Sequence, residues 1–248
     1  MSKVFSLGLF IALFFIGNAS ALTNDQECAE DIFDISARYL KLKNFSYKYK
    51  NGVVIAAACK ASPTNPNLIL SVFAYDSAIE DEKNLLVAII DEKRNQIVSS
   101  YKSVMNQDYS TQFSENSFKL DTGRYQLSDK VRAFGVRFDS AAISSCGEEG
   151  GGNDNLTLFV QEGKKLRAVF DMYMYTYRLI EGVRCNPNSE AIMENAYLTA
   201  AVQRSSANGF ADLLLTAKID GNRVEHHLLR YDGKSYQTGS QKPWWLGY

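Results

Sequence analysis

The chain has 248 residues, with 27 Lys and Arg against 28 Asp and Glu, two His, and a formal net charge of −1. A near-neutral chain without a basic tract lacks the electrostatic footprint that nucleic acid or an anionic membrane surface requires. A chain of this length can bury a real core without depending on staples.

Lys3 is followed by an apolar run over residues 4–16 and then by Gly17, Asn18, Ala19, Ser20 and Ala21. This is the layout of a secretory leader with a small-x-small cleavage site, and it predicts cleavage after Ala21. The run is too short to span a bilayer as a helix, which takes about 20 residues. No later apolar run reaches spanning length, and no cysteine stands at the cleavage point to accept lipid. The expected protein is residues 22–248, a single domain in the periplasm or secreted, with no transmembrane anchor.

All four cysteines, Cys28, Cys59, Cys146 and Cys185, lie beyond the leader. An even count in an exported chain predicts two disulfides, and of the three pairings the sequence neighbours Cys28–Cys59 and Cys146–Cys185 are preferred. With no C-x-x-C and no nearby histidine, a metal site is disfavoured.

Residues 24–44 read as one helix. Thr23 or Asn24 can cap it, Glu27, Glu30 and Asp31 suit its first turns, and Arg38, Lys41 and Lys43 suit its end. Cys28, Ile32, Ile35, Tyr39 and Leu42 then share an apolar face. After Asn44 the texture turns to short β-branched and aromatic runs. Strands are expected at 53–59, 68–75, 85–91, 96–101, 118–120, 131–138, 156–160, 166–174, 175–180, 196–203, 213–219, 224–231 and 235–238. Asp220-Gly221-Asn222, Glu162-Gly163 and Asp232-Gly233 supply the turn chemistry between them. The expected fold is therefore mainly β, antiparallel meanders with one N-terminal helix.

A repeat runs through these strands. Tyr75-Asp76-Ser77-Ala78 returns as Phe138-Asp139-Ser140-Ala141 and more loosely as Arg204-Ser205-Ser206-Ala207. Each is followed by an apolar strand and an acidic turn, at Asp91, Glu162 and Asp232. The pattern predicts about three pseudo-repeats, arranged as a propeller or a sandwich. The hairpin sequences at 158–166 and 229–236 resemble the blade hairpins of secreted FG-GAP-type repeat proteins. That resemblance implies β meanders and carries no active site across, because the family's loop of alternating acids is absent.

Catalytic residue types are sparse. His226 and His227 are adjacent in an expected strand, so they point to opposite faces and cannot share a site. There is no G-x-S-x-G, no H-E-x-x-H and no phosphate-cradling loop. No catalytic residue and no cofactor is assigned, and calcium at the acidic segment 147–154 is the disfavoured alternative. Candidate binding residues are Glu148, Glu149 and Asp154 in that segment, which reads as an exposed loop. Tyr173, Tyr175 and Tyr177 join them, since alternation puts all three on one strand face, opposite Met172, Met174 and Thr176. Trp244 and Trp245 near the C-terminus are the last pair. The leading expectation is a non-catalytic exported binding protein, an inhibitor or immunity-type protein that sequesters a toxin or hydrolase, with another envelope or secreted protein as partner. The alternatives are a glycan hydrolase working through a carboxylate pair and a structural or adhesive β-repeat module.

Overall fold

The structure is a computed structural model, and the residues it describes are 26–142, 146, 149–186 and 188–236. The predicted leader lies outside them. Among the described residues no helix is long and apolar enough to cross a membrane.

The helix α1 spans Glu30–Leu40, inside the expected 24–44 and shorter at both ends. Glu30 and Asp31 lie in its first turn and Arg38 in its last, complementing the helix dipole. It starts late because the chain before it is drawn into extended pairing: the Cys59 amide donates to the Gln26 carbonyl at 2.8 Å. Cys28 is buried and bonded to Cys59, but it precedes the helix. The helix ends where Lys41 turns left-handed and the Leu42 amide caps back to the Ala37 carbonyl at 3.0 Å.

The strands are β1 Val54–Ala61, β2 Leu68–Asp76, β3 Glu82–Asp91, β4 Gln96–Asn106, β5 Phe118–Asp121, β6 Gln126–Ser128 and β7 Val131–Arg132. They continue as β8 Phe134–Phe138, β9 Gly150–Glu162, β10 Lys165–Glu181, β11 Ile192–Ala207, β12 Phe210–Ile219 and β13 Arg223–Leu229. The described residues are mainly β with one α-helix, and their antiparallel meanders form a nearly closed, barrel-like sheet. The order runs β1-β2-β3-β4-β10-β11-β12-β13, while β9, β8 and β5 extend in turn from the other edge of β10. The junction of β4 with β10 is parallel, at Lys165 and Ser100. The aromatic-Asp-Ser-Ala motifs at Tyr75 and Phe138 fall at the ends of β2 and β8. Each of these strands pairs with the first strand of a long hairpin, β3–β4 and β9–β10. The turn at Asp232 follows β13 and closes the single bridge Tyr231–Tyr236.

One side chain spans the gap in the sheet. The backbone of Gln26 bonds to β1, while its side-chain amide accepts from the Leu120 amide at 2.6 Å and donates to the Leu120 carbonyl at 3.3 Å, in β5. Gln26→Ala leaves both Leu120 groups without a protein partner and is expected to cost about 1–3 kcal/mol in urea unfolding. Gln26→Glu, which keeps the acceptor and loses the donor, is expected to cost less than Gln26→Ala.

Three apolar cores follow from strand alternation. One face of β1–β3 packs on α1 through Ile32, Phe33, Ile35, Phe73, Leu86 and Ile90. The opposite face packs on β5 and β8, with Phe159 and Leu166 joining it. The third core gathers Leu156, Leu158, Val160, Phe170 and Met174 against β11–β13 and the β6–β7 hairpin. The β9–β10 hairpin thus serves two cores. A register shift between Ala168 and Phe170 exchanges which residues of β10 face which core. Before it Leu166 faces the second core; beyond it the even-numbered Phe170 and Met174 face the third.

Candidate functional site

The same shift aims the tyrosines. Beyond it, Tyr173, Tyr175 and Tyr177 share the face of β10 opposite Met174 and Thr176, which are buried. This face continues the one that lines the second core, beyond the end of β4. Tyr175 pairs with Tyr197 of β11 across the sheet, with ring centroids 5.1 Å apart, and lies 6.0 Å from Tyr177. Neighbouring planes in this row are inclined by 33° and 34°, so the rings lean on one another in tilted, offset contacts. Tyr173 is 49% and Tyr197 61% exposed, values that leave ring faces free for contact.

The floor is glycine. Segment 147–154 reads as a loop in the sequence, but Gly150, Gly151 and Gly152 are strand residues opposite Arg178, Tyr177 and Thr176. A Cβ on Gly152 would stand 2.6 Å from Cγ and Cδ2 of Tyr173, and one on Gly151 would stand 2.8 Å from the Tyr177 hydroxyl. Only glycine lets the rings lie this close to the backbone. Gly152→Ala is therefore expected to lift Tyr173 and cost about 1–3 kcal/mol by overpacking. It should also change the near-ultraviolet tyrosine dichroism, while Gly163→Ala, at an open turn, leaves that signal in place.

Walls close around the floor. The loop at 107–112 presents Tyr109, 73% exposed, on a turn in which Asp108 accepts from the Ser110 and Thr111 amides at 2.8 and 2.7 Å. The hydroxyl of Ser110, then these amides, hold the Asp108 carboxyl below its usual range. Ser140 ties this loop to the sheet. Its hydroxyl donates to the Ser110 carbonyl at 2.9 Å, and its backbone exchanges two bonds with the Asn153 amide. The resulting depression has a volume of about 580 Å³. It shares Tyr173 with a neighbour of about 340 Å³ at Met105 and Asp171. It shares Asn153 and Tyr175 with another of about 330 Å³ at Lys119, Arg137 and Asp154. Together they make one trough. At its far end Arg137 bridges Asp121, at 3.1 Å, and Asp154, so both carboxylates are ion-paired. Burial pulls the Arg137 pKa down, but its bonds to Asp154 and Asp121 outweigh that and raise it.

No family model, no curated protein and no solved structure matches the chain.

Of the residues singled out in the sequence, Tyr173, Tyr175, Tyr177 and Asp154 come together in the trough. Glu149 is exposed beside β9, its carbonyl accepting from the Leu179 amide at 2.6 Å. Glu148, Trp244 and Trp245 lie outside the described residues. His226 and His227 are exposed on β13, away from the trough, and His226 bonds to Thr216 at 3.0 Å. Among the described residues no group of three metal-ligating side chains comes together. Both disulfides form in the expected pairing, Cys28–Cys59 and Cys146–Cys185, as suits an exported protein in an oxidising compartment. Tyr197, Tyr109, Asn153 and Asn195 belong to the trough without having been singled out, because strand register and loop placement bring them there.

A separate depression of about 550 Å³ lies at the start of α1, over Phe33, Phe45 and the stacked pair Tyr47–Tyr49. Burial, then the neighbours Tyr49, Glu27 and Glu115, push the Tyr47 pKa up to about 12. Burial also raises Tyr125 and Tyr236. A tyrosine pKa raised in the folded state contributes stability that is intact below the unfolded value, about 10, and lost above it. The protein is expected to lose stability from about pH 10 to about 12. Part of its tyrosinate absorbance should appear only with unfolding, whereas complete tyrosine ionisation at about pH 10 in the folded protein would contradict this.

Proposed function

We propose that this is an exported binding protein of the cell envelope that performs no chemistry of its own and holds its ligand in the tyrosine-lined trough. The observation that carries the reading is the row Tyr177–Tyr175–Tyr197 with Tyr173, four tyrosines from two strands on the solvent side of a sheet whose other side is core. Tyrosine provides contact area and a hydroxyl at small entropic cost. The floor is rigid, since it sits on a hairpin anchored in two cores.

The chemistry bordering the trough supports binding over catalysis. Neither histidine lines it, the Ser140 hydroxyl is engaged with Ser110 and Gln112, and Asp121 and Asp154 are both held by Arg137. A general acid–base pair needs one carboxyl kept protonated, which a shared arginine opposes. An inhibitor or immunity-type protein is the form this reading takes when the ligand is a protein.

The test is capture from an envelope extract by immobilised protein, wild type against the double variant Tyr173→Ala/Tyr197→Ala. Both side chains are exposed, so the melting temperature should stay within a few degrees. The expected result is loss of the captured ligand in the double variant. Equal capture by both proteins would sink the reading.

A further inference from the structure

We propose that the ligand of the trough is a neutral glycan chain several pyranose units long, stacked on Tyr173 and Tyr197 and flanked by Tyr175 and Tyr177. The inference rests on the reading of the trough as the binding surface.

A pyranose ring has an apolar C–H face and a polar edge of hydroxyls. It asks for a flat aromatic surface beneath and hydrogen-bonding groups at the sides. The trough supplies both. Gly152 lets the ring of Tyr173 lie against the strand, and Tyr173 and Tyr197 are the exposed members of the row. Asn195 accepts the Tyr175 hydroxyl at 2.9 Å, which leaves its amide nitrogen free to donate. The hydroxyls of Tyr173 and Tyr197 form no hydrogen bond among the described residues, and both stand at the surface of the row.

The charge pattern selects a neutral ligand. Arg137 is matched by Asp121 and Asp154, and Arg184 lies 5.7 Å over the Tyr177 ring. Lys119 and Asp139 add one charge of each sign at the far end. A polyanion would find no uncompensated cationic row, and a strongly basic segment no acidic one. The dimensions select a chain. Three depressions that share lining residues, of about 340, 580 and 330 Å³, offer neighbouring places for successive sugar units. The hydroxyls and amides that edge this floor match the hydroxyl edge of a sugar ring.

The test is isothermal titration of the disulfide-intact protein with neutral hexasaccharides: β1→4-linked glucose, β1→4-linked N-acetylglucosamine, β1→4-linked xylose and α1→4-linked glucose. At least one should bind saturably at one site, more tightly than its disaccharide. Tyr173→Ala and Tyr197→Ala should each weaken it about tenfold, and Tyr197→Phe only about twofold. No saturable binding by any hexasaccharide, or binding that both alanine variants leave unchanged, overturns the proposal. Capture from envelope extract separates the two levels of the reading. A ligand lost with Tyr173→Ala/Tyr197→Ala and destroyed by periodate but not protease supports the glycan. One destroyed by protease but not periodate overturns the glycan and leaves the trough as the binding surface. Capture indifferent to the double variant overturns both.

Discussion

Phe159→Ala is expected to lower the unfolding free energy by about 3–5 kcal/mol, the range for removing a buried phenylalanine ring. Phe159 is 2% exposed. It lies 5.2 Å from Tyr101 and 5.9 Å from Phe134, ring centroid to centroid, linking β4, β8 and β9 inside the second core. Its neighbour Leu158 points the other way, into the third core. The loss is therefore felt in the hairpin that carries the trough floor, and ligand affinity should fall with stability. Urea denaturation gives the first quantity and titration the second. A Phe159→Ala protein within about 1 kcal/mol of wild type would mean that β9 does not join the two cores.

The disulfides are expected to act alike on stability and differently on binding. They enclose separations of 31 and 39 residues. By chain entropy each contributes roughly 3–4 kcal/mol relative to the paired cysteine-to-alanine variant. Cys28–Cys59 ties the chain before α1 to β1, on the far side of the molecule's cores from the tyrosines. Cys146–Cys185 ties the chain before β9 to the turn after β10, beside Arg184 and Gly150 of the trough. Cys28→Ala/Cys59→Ala should lower the melting temperature and leave the affinity of the surviving folded protein intact. Cys146→Ala/Cys185→Ala should lower both. Equal affinities for the two variants would show that the second bridge does not shape the site.

Much of this fold is legible in the sequence because its strands are β-branched and aromatic runs with glycine and aspartate turns. The first strand of nearly every hairpin is marked that way, and the cysteine pairs follow from their even number and spacing. The long strand β10 reads as two, 166–174 and 175–180, because its 17 residues exceed the roughly 3–10 of an ordinary strand. The β6 strand is too short to leave a pattern. The helix is overextended in the reading because the bonds of Gln26 to Cys59 and Leu120 are long-range, and periodicity carries no trace of them.

The site is half legible for similar reasons. Alternation alone puts Tyr173, Tyr175 and Tyr177 on one face, since that depends only on neighbours in the chain. That Tyr197 completes the row depends on the register of β10 with β11, and that Tyr109 overhangs it depends on a loop from a different part of the sheet. The glycine run reads as a loop because glycine has no side chain to alternate. In the fold those glycines are strand residues, kept bare by the tyrosine rings that lie on them.

Tyrosine footprinting tests the account most directly. Exposed tyrosines would be nitrated in the free protein and in the ligand-saturated complex, and mapped by mass spectrometry. Tyr197 and Tyr49 are each 61% exposed, so they start as matched reporters on different faces. The account predicts that ligand protects Tyr173 and Tyr197 and leaves Tyr49 reactive. Protection of Tyr49 with Tyr173 and Tyr197 still reactive would contradict it.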